Sequence, residues 1–313
     1  MQIVPLSEPN SFDYVQVTGE DTRTFLQGQI TCNVDLLSEN QALHGALCNL
    51  KGRVIADFHL FLLAESHILL QTRRGAGAKI IDTLSRYAVF SKVELTVADG
   101  PVAVFGVIGE SAAAAFQETL SQFPADDYAV VSNEDFLLVR IPGSTPRYQL
   151  WCQNREALSS LNKLDVMEEQ APTAAWQLAD IRAGIVHIDA QSSESYTPQL
   201  LNYDISGVVD FEKGCCTGQE VVARMHYRAK AKKRLFRLSS EASLGTDSII
   251  AAADDPPQSV AEMLSVTTAQ GDKVASEALA IMSTELVASK PALQLANDSQ
   301  ERVKLEPLPY SSD

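Results

Sequence analysis

Residues 43–73, LHGALCNLKGRVIADFHLFLLAESHILLQTR, place the strongest limit on the fold. Two apolar runs flank the turn Leu50-Lys51-Gly52-Arg53, and the second leads through Glu65-Ser66 into a third, HILLQT. Short apolar runs separated by turn residues are strands of an antiparallel meander. Such a sheet has an apolar face that must be covered, and the flanking segments offer the helices. FDYVQVT (12–18) alternates as a half-buried strand and stops at Gly19, after which DTRTFLQGQI carries apolar residues at helical spacing. A helix near 76–87, strands near 92–98 and 102–108, a helix at 111–121, strands at 136–141 and 147–152 and a helix at 154–163 follow. An α+β fold of mixed sheets packed on helices is expected.

At 313 residues the chain exceeds the usual size of a single core, so two domains are the default, with three small ones the alternative. With 45% apolar and 21% charged residues it can bury those cores. After Arg237 the character changes: Asp254-Asp255-Pro256-Pro257 and the short segments MLSVTT, EALAIMS and RVKLEPL predict an all-β unit, with a boundary near 230–238. MQIVPLSEPNSF has neither a basic nor an apolar leader region, and no apolar run reaches the roughly 20 residues of a membrane span, so a soluble cytoplasmic protein is expected. Cys32, Cys48, Cys152, Cys215 and Cys216 include no CxxC, and no histidine pair has zinc spacing, so reduced thiols and no metal are expected. A net charge of -15 repels phosphate backbones, and any anion site must be local. The acid-free run Arg224, Arg228, Lys230, Lys232, Lys233, Arg234 and Arg237 is such a site, or else a solvated helix end and linker.

ISGVVDF (205–211) reads as a strand, and Thr217 with Glu220 makes a capping box for a helix through Val221, Val222 and Met225. Cys215 and Cys216 then precede a helix N-terminus, whose positive end, with Lys213, favours a thiolate. The same position also suits a small packed apolar residue. His59 alternates within an apolar strand and reads as a satisfied structural residue, while His226 stands among basic residues where it could contact an anion. No catalytic triad spacing and no phosphate-binding loop is present.

KGCCTGQEVVAR (213–224) resembles the K-G-C-[aromatic]-T-G-Q-E signature of the YgfZ proteins, folate-binding relatives of the aminomethyltransferase (T-protein) of glycine cleavage. FLQGQITCNV (25–34), YAVFSKV (87–93), WQLADIRAGIVHID (176–189), RAKAKKR (228–234) and LEPLPYS (305–311) resemble further segments of that family, so the likeness covers nearly the whole chain. It implies a folate-binding region, 1–232, of two interleaved ferredoxin-like subdomains, with about 23–99 inserted into 1–22 plus 100–232. A small C-terminal β-barrel, 233–313, would complete a ring of three units around a cleft.

The resemblance also implies a tetrahydrofolate cofactor, polyglutamylated where the basic run can hold the tail, and partners among iron-sulfur tRNA-modifying enzymes or assembly factors; direct tRNA binding is a further expectation. By position, Phe12 and Trp176 match the aromatic pair of the folate site, with Arg182 and Arg228 as further contacts. Cys215 is the implied working thiol, activated by Lys213, with Gly214, Thr217, Gly218, Gln219, Glu220 and Arg224 completing the motif. Several departures stand out. Phe12 replaces a tryptophan, Cys216 replaces the signature's aromatic ring, Ala56 replaces one of two adjacent T-protein aspartates, and Arg182 replaces a T-protein glutamate. Aminomethyl transfer is therefore expected to be absent, with a folate-dependent one-carbon transferase as the rival reading.

Overall fold

The expected meander forms the centre of the first sheet. In a computed structural model describing residues 1–6, 11–116, 122–164, 167–214, 217–228, 231–245, 250–252, 259–269, 275–295 and 301–310, Leu43–Cys48, Val54–Ala64 and His67–Arg73 pair in succession. Phe12–Thr18 joins His67–Arg73, and Glu94–Ala98 closes the edge, all antiparallel. Phe12–Thr18 thus belongs to the inner sheet, which begins before the residue 23 expected for the insert. Its alternation decides this: Val15 and Val17 point into the same apolar cluster as Phe58 and Leu60. Thr22–Gln27 and Gly77–Ser85 cover that face through Phe25, Leu26, Ile80 and Leu84.

The second sheet runs in the order Gln2–Pro5, Ala103–Ile108, Arg147–Cys152, Phe136–Ile141, Val130–Ser132. Ala112–Ala115 and Arg155–Leu161 cover its outer face, packing Ala112, Ala157 and Leu161 against Phe105, Leu138 and Leu150. The remaining faces of the two sheets meet through Tyr14, Phe61, Leu69, Val104, Leu137 and Trp151. Each sheet is therefore sandwiched between helices and the other sheet, the arrangement that two one-sided apolar sheets require.

The C-terminal unit, expected to be all-β, is a sheet that also carries one short helix, Thr284–Ala288, whose start the Ser283 side chain caps. Lys233–Ser240, Ile250–Ala252, Ala261–Ala269, Ala275–Ser283, Leu293–Leu295 and Arg302–Glu306 make a six-stranded antiparallel sheet. Leu235, Leu279 and Ile281 pack on Ile181, Leu201 and Tyr203 of the connecting segment. The helix Thr173–Ala183 ends at Gly184, whose φ of +69° is the left-handed cap glycine adopts without strain. The Tyr310 hydroxyl donates to the Gly184 carbonyl at 2.8 Å, and a Cβ on Gly184 would run into Tyr310 and Leu308.

Residues 205–211 differ from expectation, since they form turns and bends with no strand. Their apolar side chains enter the core from an irregular segment whose backbone is satisfied elsewhere. The Thr31 hydroxyl donates to the Val208 carbonyl at 2.7 Å, and the Asp210 N–H donates to the Thr31 carbonyl. Among the described residues, no helix is long and apolar enough to cross a membrane.

Candidate functional site

Strand alternation sends Ala56, Phe58 and Leu60 toward the helices and Asp57, His59 and Phe61 toward the opposite sheet. Hairpin register then sets His44 directly opposite His59. His187 arrives from the segment after the helix Thr173–Ala183 and completes a polar cluster between otherwise apolar layers.

Asp57 is the hub. Its Oδ2 lies 3.0 Å from His44 Nε2 and 2.7 Å from His187 Nδ1, while its Oδ1 accepts the Ile188 N–H at 2.6 Å. Burial alone would raise the carboxyl, but the charge and hydrogen bond of His187, and then those of His44, hold it well below the ordinary carboxylate range. His59 is driven well below its ordinary value by burial and by the neighbouring His44 and His187, against the opposing pull of Asp57 and Gln71. Its Nε2 has no hydrogen-bond partner among the described residues. Beyond the hub, His187 Nε2 faces Asp180 Oδ2 at 3.9 Å, and Arg147 Nη1 donates to Asp180 Oδ1 at 2.7 Å. Tyr128 Oη lies 3.4 Å from His44 Nδ1.

Two spaces flank the cluster. Asp57, His59 and His187 share with Phe12, Gln71 and Trp176 a cavity of about 10 Å³, room for about one water. His44 borders a cleft of about 330 Å³, in which Tyr128, Ser144, Ile185, Tyr203 and Tyr310 bring all three units together. Phe12 and Trp176 thus meet at one cavity although they lie far apart in sequence. Each has a guanidinium over its ring, Arg73 at 5.6 Å from the Phe12 centroid and Arg147 at 4.8 Å from that of Trp176. Arg182 is elsewhere: Nη2 and Nε reach Glu277 Oε1 of the C-terminal sheet at 2.6 and 2.9 Å. Ala56 is fully buried in the helix-side cluster, so the absent second carboxylate would not have faced the His44–Asp57–His187 group.

The motif stretch docks on two loops of the inner unit. Lys213 Nζ donates to the carbonyls of Gln27, Ile30 and Cys32 at 2.8, 2.6 and 2.9 Å, so its three N–H groups each meet a backbone acceptor. This binds 213 to the loop after Thr22–Gln27, a structural duty that expectation had not given it. Thr217 donates through its hydroxyl to Gln29 Oε1 and through its N–H to Gly28. The helix runs Gln219–Arg228, and Gly218 before it has φ +77°, so Thr217 does not adjoin the first helical turn as the capping box required. A Cβ on Gly218 would collide with the Asn49 carbonyl, and one on Gly52 would crowd Val221 and Val222. Gly214 is exposed. Cys215 and Cys216 lie outside the described residues, as do the side chains of Gln219, Glu220 and Arg228.

The basic run divides. Arg234 forms a two-pronged pair with buried Asp204, both contacts at 2.9 Å, and Arg237 faces Glu277 at 3.1 Å. His226, expected near an anion, stacks on Phe211 and faces Asp204 at 3.6 Å, so the anion it meets belongs to the protein. Arg224, Lys232 and Lys233 remain exposed. Sequence reading missed the partnership of His44, His59 and His187 with Asp57. A signal for part of it exists: pairing the strands about the Lys51-Gly52 turn places His44 beside His59, with Asp57 two residues away on the same face.

Comparison with known proteins adds a lineage to this geometry. Residues 2–142 match the GCVT N-terminal domain. The crystal structure of glycine cleavage system aminomethyltransferase T from Bartonella henselae superposes with a TM-score of 0.78 over 98% of this chain and 85% of that one, at 16% identity, and shares its fold. The tRNA-modifying protein YgfZ of Hamiltonella defensa is 35% identical over 74% of this chain and 69% of its own length. That of Yersinia enterocolitica is 31% identical over 95% of this chain and 89% of its own. With similarity of this extent to curated members, the chain belongs to the YgfZ family.

Proposed function

We propose that the chain is a tetrahydrofolate-binding accessory protein that supports tRNA modification by iron-sulfur enzymes. The observation that carries the reading is the meeting of Phe12 and Trp176 at one cavity, beside the buried polar side chains of His59 and Gln71, whose Nε2 and Oε1 make no hydrogen bond of normal geometry among the described residues. Aromatic planes with nearby unpaired donors and acceptors fit a pterin in kind. The fit in volume is divided. The cavity of about 10 Å³ accepts no ring until side chains part, and Arg147 must leave the Trp176 face for a ligand to stack there. The cleft of about 330 Å³ bordered by His44 has the size of a small-molecule site. When bound, a reduced folate supplies one-carbon chemistry; the chain's residues hold and orient it.

Calorimetry with a panel of reduced and one-carbon folates tests the reading, with tryptophan fluorescence as a second signal. Saturable heat is expected, and Trp176→Ala should weaken binding roughly fivefold, the equivalent of about 1 kcal/mol for a lost aromatic stack. No heat and unchanged fluorescence at millimolar folate would sink the assignment. Aminomethyl transfer remains the rival because Asp57 is retained at the centre. An aminomethylated carrier protein should yield no methylene-tetrahydrofolate above a protein-free control.

Cys215 is the proposed working thiol, resting on its place in the signature after Lys213-Gly214. In a strain lacking its own family member, Cys215→Ser should abolish rescue of tRNA methylthiolation, and Cys216→Tyr should preserve it. Full rescue by Cys215→Ser would make the thiol dispensable.

A further inference from the structure

We propose that His44, Asp57 and His187 form a binding site for a divalent transition-metal ion such as Zn²⁺. His44 Nε2, Asp57 Oδ2 and His187 Nδ1 all lie within 4.8 Å of one another. Both imidazole nitrogens meet the same carboxylate oxygen, at 3.0 and 2.7 Å. An ion about 2.0–2.2 Å from each of three ligands holds them roughly 3–3.5 Å apart, so each imidazole nitrogen would draw back from Oδ2 by a few tenths of an ångström on coordination.

Each of the two histidines also has a polar group near its other nitrogen. A ligating histidine ordinarily hydrogen-bonds through its other nitrogen, which fixes the ring's orientation. Here His44 Nδ1 faces the Tyr128 hydroxyl at 3.4 Å, and His187 Nε2 faces Asp180 at 3.9 Å. Ile188 N–H occupies Asp57 Oδ1 and leaves Oδ2 as the single coordinating oxygen.

His59 provides an independent observation. Its ring centre is 5.0 Å from that of His44 and 6.2 Å from that of His187, and it is 6% exposed. Gln71 stands opposite it across the strand pair and pulls on the ring, but the His59 Nε2 makes no hydrogen bond of normal geometry among the described residues. Imidazole and carboxylate donors favour zinc, iron, cobalt or nickel over magnesium or calcium. The proposed ligands are His44, Asp57 and His187, and the metal test does not require folate.

The test uses the full chain, stripped with a chelator and titrated with Co²⁺ for its visible absorption and with Zn²⁺ against a chelating dye. One equivalent is expected to bind, and His44→Gln and His187→Gln should each weaken binding at least tenfold. His226→Gln, altering a histidine that faces Asp204 at 3.6 Å, should change nothing and so controls for ions gathered by a surface of net charge -15. Should the variants not fold, ¹⁵N imidazole spectra of the unaltered protein decide. Zn²⁺ should shift the signals of His44 and His187 and leave His67 and His226 in place. No bound equivalent, or binding indifferent to both glutamine variants with imidazole signals unmoved, would overturn the proposal.

Discussion

Lys213 and Asp57 are both buried ions held by three hydrogen bonds, but their partners differ in kind. The Lys213 ammonium meets three backbone carbonyls, fixed in place by the loop they belong to. Asp57 meets one backbone N–H and two imidazoles, groups that can gain or lose a proton or exchange it for a metal ion. A backbone carbonyl near neutral pH has no such alternative. Buried charge is therefore met by fixed backbone acceptors in one region and by ionisable side chains in the other. The signature lysine, read from sequence as an activator, is a lock on the loop that carries those carbonyls.

The contrast can be broken experimentally at three points. Lys213→Met keeps much of the apolar stem and removes the charge, leaving three inward carbonyls without their donor. A loss of about 3 kcal/mol is expected in urea unfolding; a loss below about 1 kcal/mol would show that the loop does not depend on the ammonium. Thr31→Val sharpens the same side of the comparison. Its buried hydroxyl accepts from Ala46 N–H at 2.8 Å and donates to Val208 at 2.7 Å, so removing it should cost about 1.5 kcal/mol by the same measurement. The smallest effect belongs to the Asp57 side. Tyr128→Phe removes a hydroxyl 3.4 Å from His44 and should cost about 0.5 kcal/mol in thermal unfolding. A larger loss than that of Thr31→Val would make the histidine cluster as rigid as the lock.

Legibility followed the range of the interactions. Phe12–Thr18, Phe136–Ile141 and Arg147–Cys152 have the bounds expected from sequence, the first as a partly buried strand and the other two as short apolar-rich runs buried along nearly their whole length. Residues 205–211 have the same apolar character but no sheet partner; local turns from Asn202 and Tyr203 and, at Val208 and Asp210, distant Thr31 satisfy their backbone, and periodicity carries no trace of the latter. Within the site, Phe12 and Trp176 were singled out through the family likeness, and they line one cavity. Alternation within an apolar strand read His59 as a satisfied structural residue, whereas its Nε2 makes no hydrogen bond of normal geometry among the described residues. His187 joins Asp57 from an irregular segment, so no spacing rule could have paired them.

The strand order also has a consequence for how the chain is made. Gln2–Pro5 pairs with Ala103–Ile108, while the meander at 43–73 pairs with its own neighbours. During synthesis at about 5–20 residues per second, the first strand leaves the ribosome on the order of 5–20 s before its partner. Hairpins close in microseconds, so the inner sheet has time to assemble during that interval. Until position 108 has emerged, Ile3 and Val4 have no second sheet to enter, and the nascent chain carries an unpaired apolar edge open to chaperones or to a neighbouring copy.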